Sequence, residues 1–167
     1  MYKFVQILGD FTTSVKRALQ EIDPDYMHLP GLVVCGTHNP KLDDIELFLH
    51  EIKIARVSGL PALLICFGHQ LGMIEYARNV LGIKDATSEE FGTGTLVVKK
   101  RADGLKVGLH DGETYWNNYE VVPEYLAKWK QSDSCFSTQF HPEYQSSKDD
   151  PHPLLVTFLQ YAREMAS

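Results

Sequence analysis

A thiol, an imidazole and a carboxylate stand where short extended segments of the chain end. Cys66 follows the apolar run 60–65 and precedes a helix-like segment. His141 and Glu143 follow a second short apolar stretch far downstream. Because a sheet can bring the ends of such segments together, the thiol gains a basic partner, as nucleophilic acyl transfer requires. The residue types therefore indicate a cysteine hydrolase.

Each of these residues would have a separate task. Only the thiolate attacks a carbonyl well, so Cys66 needs activation by a base or by a helix N-terminus. His141 would share or take the thiol proton and later give it to the leaving amine, while Glu143 would orient the ring. Gly68 allows the helix to start close against the preceding strand, as a nucleophile elbow requires.

Structural interpretations of the same residues compete with this one. A lone buried cysteine is more often a small hydrophobic residue, and a lone histidine at a strand end is more often structural. Glu90, taken alone, would be a solvated loop carboxylate. Because Cys66 occurs together with His141 and Gly68, a catalytic role is the favoured interpretation of Cys66 and His141.

Composition and charge narrow the class of protein. The chain has 167 residues, 44% of them hydrophobic, which suffices for one sizeable core, so we expect one domain over residues 1–167. A formal charge of −6 argues against a nucleic-acid partner. Three cysteines without paired or metal-binding spacing predict reduced thiols, a cytoplasmic location and no metal site. No apolar run is long enough for a membrane span, which predicts no membrane partner.

Apolar periodicity predicts alternating strands and helices in the first half of the chain. The predicted strands cover 3–8, 31–35 and 62–66, and the predicted helices cover 14–21, 43–57 and 68–81. The side chains expected to face inward are Val15, Ala18, Leu19 and Ile22 in the first helix and Ile45, Leu49, Ile52 and Val57 in the second. This alternation predicts an α/β fold, a flavodoxin-like or Rossmann-like three-layer sandwich with a mostly parallel central sheet.

The sequence of the second half of the chain predicts a small antiparallel β excursion outside the main sheet. A later strand is then predicted to join the main sheet. Segments 95–99 and 106–109 are expected to pair antiparallel through the turn 102–104. The remaining predicted elements are an extended stretch at 119–122, a short helix at 123–130, a strand at 135–140 and a terminal helix at 153–165. The strand at 135–140 would carry His141 into the core, and the terminal helix would bury an apolar face.

Two motifs resemble the signature of class I glutamine amidotransferases: Cys-Phe-Gly-His-Gln at 66–70 and Gln-Phe-His-Pro-Glu at 139–143. Segments 75–82, 85–91 and 141–147 are similar to the glutaminase domain of CTP synthase, here without the synthase domain. The resemblance runs from about Phe4 to the C-terminus. It implies hydrolysis of glutamine through a cysteinyl thioester, with ammonia passed to a synthase.

The resemblance also implies roles for individual residues. Cys66 would be the nucleophile with His141 and Glu143 as its partners. The implied oxyanion donors are Gly36 and Phe67, and the implied substrate contacts are Gln70, Glu90 and Asn118, with Glu90 binding the α-ammonium. No cofactor is implied, because thioester hydrolysis needs only a thiol, a base, oxyanion donors and water.

The chain departs from the family at three positions. Leu64 replaces a glycine before the nucleophile, and Thr37 stands in the loop that would bind the oxyanion. Asn118 stands where the family has an arginine that binds the α-carboxylate of glutamine. Loss of that charge-assisted pair would cost on the order of 1.5 to 3 kcal/mol, so we expect free glutamine to be a poor substrate.

Three functions follow from these observations. The first is a stand-alone amidohydrolase acting on glutamine or a related amide. The second is a glutaminase subunit that depends on a separate ammonia-accepting synthase partner. The third is a non-catalytic relative with altered glutamine recognition. Only about ten residues separate the first predicted helix from Gly31, fewer than in the family that the chain resembles. This shortened edge fits a chain that works alone or with another partner, and the alternative is an interface with a second copy of the chain.

Overall fold

The computed structural model of the protein describes residues 4–37 and 41–167. Its strands are β1 Val5–Leu8, β2 Gly31–Val34, β3 Ala62–Ile65, β4 Ala86–Ser88, β5 Thr95–Lys100, β6 Lys106–His110, β7 Glu113–Asn117, β8 Tyr119–Val121 and β9 Cys135–Thr138. Its helices are α1 Thr13–Ile22, α2 Leu42–Ser58, α3 Phe67–Asn79, α4 Pro123–Lys128 and α5 Pro153–Ala166. Short 3₁₀ turns cover Tyr26–His28 and Pro142–Gln145.

The main sheet brings the ends of β3 and β9 side by side. Its four strands are all parallel, in the order β1-β2-β3-β9. Ile65, the last residue of β3, pairs with Thr138, the last residue of β9. Because parallel strands end at the same edge, the segments that follow β3 and β9 leave the sheet together.

Helices cover both faces of this sheet, which confirms the predicted three-layer α/β fold. Helices α2 and α3 pack on one face and α1 and α5 on the other, in two apolar clusters. Every residue of β3 is buried, which explains its uninterrupted apolar sequence. The predicted inward face of α5 is confirmed, because Leu155, Phe158, Leu159 and Ala162 are all buried. None of the described helices is both long and apolar enough to cross a bilayer.

The predicted inward position of Val57 in α2 is wrong. Its side chain is 69% exposed, whereas Ile45, Leu49 and Ile52 are buried as predicted. A helix turns about 100° per residue, so Val57 lies about 120° around the axis from Ile45 and leaves the buried face. Ala55 is buried near this end of the helix instead.

The predicted pairing of segments 95–99 and 106–109 is also wrong. Strand β5 pairs antiparallel with β8 and parallel with β4, while β6 pairs antiparallel with β7. The β6–β7 turn contains Asp111 and Gly112 with φ angles of 53° and 81°. An Asp-Gly pair with positive φ makes the two-residue turn that suits a hairpin, so the neighbouring segment becomes the partner of β6.

The β6–β7 hairpin is attached to the segment that follows β9. The backbone N–H of His141 donates to the carbonyl oxygen of Thr114 at 2.8 Å. The Nε2 atom of His152 lies 2.7 Å from Oε1 of Glu113, and the N–H of Leu154 donates to Nδ1 of the same ring. These contacts hold the hairpin beside the ends of β3 and β9.

Candidate active site

Cys66 occupies a strained turn between β3 and α3. Its φ and ψ are 56° and −102°, a conformation that side-chain-bearing residues rarely adopt. Its backbone N–H donates to Thr138 of β9 at 2.9 Å, and its carbonyl accepts from Gln70 of α3 at 3.2 Å. Such strain costs about 1–3 kcal/mol and persists where the surroundings hold it. The turn therefore places the sulfur at the N-terminus of α3.

Gly68 allows the close approach of α3 to the sheet. A Cβ atom at this position would overlap the carbonyl oxygen of Val34 and lie 3.0 Å from the Val34 carbonyl carbon. The obstacle is backbone of β2, so no side-chain rotation relieves it. The structure thus agrees with the interpretation of Gly68 as the residue that brings the helix against the strand.

His141 and Glu143 form a buried pair behind the thiol. Nδ1 of His141 lies 3.3 Å from Oε1 and 3.4 Å from Oε2 of Glu143. The two residues are 8% and 2% exposed. Oε1 of Glu143 is buried and receives no hydrogen bond from the described residues. A buried carboxylate with so few donors is stabilised by a positive charge on the neighbouring ring.

Contacts with Cys66 and Glu143 favour the protonated form of the His141 imidazole. Burial lowers its pKa, but hydrogen bonding to Cys66 and Glu143 and the negative charges of both groups outweigh burial and raise the pKa to about 10. Since Nδ1 faces Glu143, Nε2 is the nitrogen left for the sulfur. The arrangement is suited to a thiolate–imidazolium pair.

Helix α1 supports the turn that carries Glu143. Nη2 of Arg17 donates to the carbonyl oxygen of Glu143 at 2.8 Å, and Nη1 reaches the carbonyl of Ser146 at 3.4 Å. Glu21, one turn further along α1, pairs with the same guanidinium. The sequence carries no signal for this contact, because a single arginine on a helix surface has no distinctive spacing.

Two further groups contact the Cys66 sulfur. The sulfur lies 3.5 Å from the carbonyl oxygen of Trp116. The side-chain amide of Gln139 donates to the sulfur at 3.6 Å. Gln139 lies within the motif around His141, so its position was a signal that sequence analysis left unused. The contribution of Trp116 is a backbone atom, which side-chain identity could not reveal.

A cleft of about 770 Å³ opens over the thiol. Seven of the eight predicted site residues line it: Gly36, Cys66, Phe67, Gln70, Glu90, Asn118 and His141. Glu143 lies behind His141 and does not line the cleft. The β6–β7 hairpin forms much of the opposite wall, through residues that include Val107 and Trp116.

The three residues predicted to contact the substrate differ in the burial, charge and hydrogen bonds of their side chains. Gln70 is buried, and its Nε2 donates to the Tyr119 carbonyl at 2.9 Å and to Oε1 of Gln139 at 3.4 Å. Glu90 is half-buried, and burial raises the pKa of its carboxyl group. Asn118 offers a partly exposed, uncharged side chain. The amide nitrogen of Gln70 is therefore engaged within the protein, whereas Glu90 is a half-buried acidic residue of the cleft lining.

The other two cysteines are poor nucleophiles. Burial and the charge of Glu143 raise the pKa of the Cys35 thiol well above its usual range. Burial and the charge of Glu75 raise the pKa of Cys135 to about 12. Only a thiolate reacts rapidly, so Cys135 provides a control for Cys66.

The pKa of His141 provides a test of this geometry. In the Cys66→Ala variant the hydrogen bond and charge of the sulfur are lost while burial remains, so the pKa of His141 should fall below about 10. An NMR titration of the imidazole ring measures this shift, and the Cys135→Ala variant should titrate like the wild type. An unchanged His141 pKa in Cys66→Ala would contradict the proposed contact.

Comparison with known proteins agrees with the fold and the motifs. A model of the glutamine amidotransferase class-I family matches residues 10–161. CTP synthase of Methanoculleus marisnigri is 30% identical over 190 residues, covering 86% of this chain and 36% of that protein. CTP synthase of Archaeoglobus fulgidus is 29% identical over 201 residues, covering 87% of this chain and 37% of that protein. The chain thus spans little more than a third of the length of these curated relatives.

A solved structure gives the same fold. The glutaminase domain of Trypanosoma brucei CTPS, solved with bound acivicin, superposes with a TM-score of 0.71 at 18% identity, covering 96% of this chain and 93% of that one. The family match extends from just after β1 into the last helix and includes both motifs of the cleft. The chain therefore belongs to the class I glutamine amidotransferase family.

Proposed function

We propose that this protein hydrolyses the side-chain amide of a glutamine-like substrate through a thioester on Cys66, with release of ammonia. The observation that carries the proposal is the sulfur at a strained helix N-terminus beside the buried His141–Glu143 pair. Family membership supports the same chemistry. Catalysis by such a site rests on positioning and proton transfer.

The first half of the reaction forms the thioester. The Cys66 sulfur attacks the amide carbon, and the carbonyl oxygen takes on negative charge. His141 then gives its proton to the amide nitrogen, so the C–N bond breaks and ammonia leaves. The negative charge of Glu143 stabilises the imidazolium until that transfer.

The second half of the reaction releases the acid. His141, now neutral, takes a proton from water, and the resulting hydroxide attacks the thioester carbon. The C–S bond breaks, the substrate leaves as a carboxylic acid and Cys66 recovers its starting form. One water is consumed and one ammonia is produced for each amide hydrolysed.

The cleft lining supplies candidates for the remaining roles. We assign the backbone N–H groups of Gly36 and Phe67 to the oxyanion, since both residues line the cleft beside the sulfur. Glu90 is assigned to the α-ammonium group of the substrate. Asn118 is assigned to the backbone of the substrate. Gln70, which donates to Gln139, is assigned to the side-chain amide of the substrate.

Covalent labelling tests the proposal. We expect 6-diazo-5-oxo-L-norleucine, an electrophile with a glutamine skeleton, to add once to the wild-type protein and only at Cys66. Intact-mass spectrometry followed by peptide mapping measures the adduct. Iodoacetamide, applied at about pH 6 where ordinary thiols react slowly, should also label Cys66 selectively.

Two variants serve as controls for the labelling. Cys66→Ala should give no adduct, whereas Cys135→Ala should label like the wild type. A folded wild-type protein in which neither reagent modifies Cys66 would contradict an activated thiol and favour a non-catalytic relative. Labelling by iodoacetamide but not by 6-diazo-5-oxo-L-norleucine would support Cys66 as the nucleophile. It would contradict a substrate with a glutamine skeleton.

A second candidate function is a glutaminase that supplies ammonia to a synthase partner. The hairpin beside the cleft exposes large apolar side chains, with Leu109 and Trp116 65% and 62% exposed. Such side chains are suited to a partner surface. This candidate predicts complete labelling of Cys66 together with slow ammonia release by the isolated protein. Rapid multiple turnover by the isolated protein would favour the stand-alone enzyme.

A further inference from the structure

The polar part of the cleft is rich in hydrogen-bond acceptors. Glu90 contributes a carboxylate, and burial raises its pKa because the charged form lacks full solvation. Asn117, only 5% exposed, donates through Nδ2 to the Tyr119 carbonyl, while its Oδ1 receives no hydrogen bond from the described residues. A buried acceptor without a donor is unfavourable for the folded protein. These groups favour the donor-rich end of a ligand, such as an ammonium group.

The same cleft is poorly suited to a free carboxylate. None of the described lining residues is lysine or arginine. On the flanking elements, Nζ of Lys106 lies 3.8 Å from the ring centroid of Tyr115, and Nη1 of Arg101 lies 2.7 Å from Oε2 of Glu120. The charge of His141 is shared with Cys66 and Glu143. A ligand carboxylate would thus lose water near Glu90 without a lysine or arginine among the described lining residues to replace it.

The size and lining of the cleft leave room for a ligand larger than one amino acid. Its volume of about 770 Å³ lies in the range that holds drug-sized ligands. Apolar side chains of the hairpin and of the loops opposite line it and are also exposed at its mouth: Phe11, Leu105, Val107, Trp116 and Tyr144. They offer contact area for a substituent attached beyond the α-carbon of glutamine.

We infer that the substrate is an N-terminal glutaminyl peptide, an inference that rests on the proposed function. The free α-ammonium binds Glu90 beside Asn117, and the α-carboxylate is replaced by an uncharged peptide bond near Asn118. The following residue packs on Val107 and Trp116. The reaction converts a glutaminyl peptide and water into a glutamyl peptide and ammonia, by breaking the C–N bond of the glutamine amide group and forming a C–O bond.

A comparison of two substrates tests the inference. We expect kcat/KM for the dipeptide Gln–Gly, whose carboxylate lies one residue farther from the ammonium site, to exceed that for free glutamine by at least about tenfold, since a mismatched polar group is strongly rejected. Mass spectrometry distinguishes the product Glu–Gly from the cyclised by-product that N-terminal glutamine forms spontaneously. The Cys66→Ala protein gives the uncatalysed background for both substrates.

Variants of adjacent carboxylates test the ammonium site. Glu90→Gln should lower kcat/KM for Gln–Gly by about tenfold or more, because a charge-assisted hydrogen bond is lost. The same variant should have a much smaller effect on kcat/KM for Nα-acetyl-Gln–Gly, which has no ammonium. Glu89→Gln is the matched control, because the Glu89 carboxylate lies outside the cleft lining and accepts from the N–H of Lys100.

The outcomes separate this inference from the proposed function. Preference for Gln–Gly together with the selective effect of Glu90→Gln supports the inference. Equal or better turnover of free glutamine overturns it and leaves the thioester mechanism intact. If Cys66 is labelled but neither substrate is hydrolysed, the inferred substrate class is also wrong. Absence of both turnover and labelling means that the proposed function itself has failed.

Discussion

Replacement of Cys66 by alanine is expected to lower kcat for amide hydrolysis by roughly 10⁴- to 10⁶-fold, as removal of a nucleophile does in other acyl-transfer enzymes. The remaining groups can bind the substrate and polarise its carbonyl, but no thioester forms. A coupled assay for ammonia, with detection down to the background rate, measures the loss. Circular dichroism and the free energy of unfolding should stay close to the wild type, because the cysteine side chain is small.

The matched control for this prediction is Cys135→Ala. Burial and the charge of Glu75 raise the pKa of the Cys135 thiol to about 12, and its strand position is away from the cleft lining. Its replacement should change kcat by less than about twofold. Residual activity of Cys66→Ala close to that of wild type would eliminate covalent catalysis at this position.

Replacement of Gly68 by alanine is expected to destabilise the fold by about 3 kcal/mol or more and to abolish activity. Overpacking commonly costs about 1–3 kcal/mol, and here the added methyl group meets the backbone of β2. Relief requires α3 to move away from the sheet, which displaces Cys66 from its turn. Urea denaturation measures the free energy of unfolding, and an ammonia assay on the folded fraction measures the activity.

Gly59→Ala tests whether this effect is steric. Gly59 caps α2 with a φ of 74°, and a Cβ atom there would meet no heavy atom within 4 Å. The same substitution should cost about 1–2 kcal/mol through backbone strain alone and should keep activity. Equal losses of stability at both glycines, with activity retained in Gly68→Ala, would contradict the close-approach argument.

The layered fold could be predicted because its signals are local. A parallel strand buried on both faces requires an apolar run such as 62–65, and helices reveal a buried stripe at 3.6-residue spacing. The β excursion is harder to predict because pairing depends on turn geometry. The Asp111–Gly112 pair indicates the β6–β7 hairpin, but the turn at 102–104 is a competing signal of the same kind. Strand β4, with three residues, is too short for a periodic pattern.

The candidate site also contains residues that the sequence indicates and contacts that it does not. Cys66, His141 and Glu143 could be predicted from residue type and position after apolar runs. The supporting contacts could not, because they join residues far apart in sequence. Arg17 reaches the Glu143 carbonyl across 126 residues, and Gln139 reaches Cys66 across 73. Nothing in the local pattern of either partner indicates such a contact.

The placement of β9 at one end of the main sheet couples the chemistry to folding. Cys66 follows β3, but its partner His141 follows β9, which pairs with β3 across a long stretch of intervening sequence. Contacts of this kind form late, since closing a long loop costs entropy before the contact stabilises it. Before β9 adds to the sheet, Cys66 therefore lacks His141 as a neighbour, and the activation that we propose for the thiol arises only at that step. Local detachment of that strand would separate the two residues without unfolding the rest of the protein.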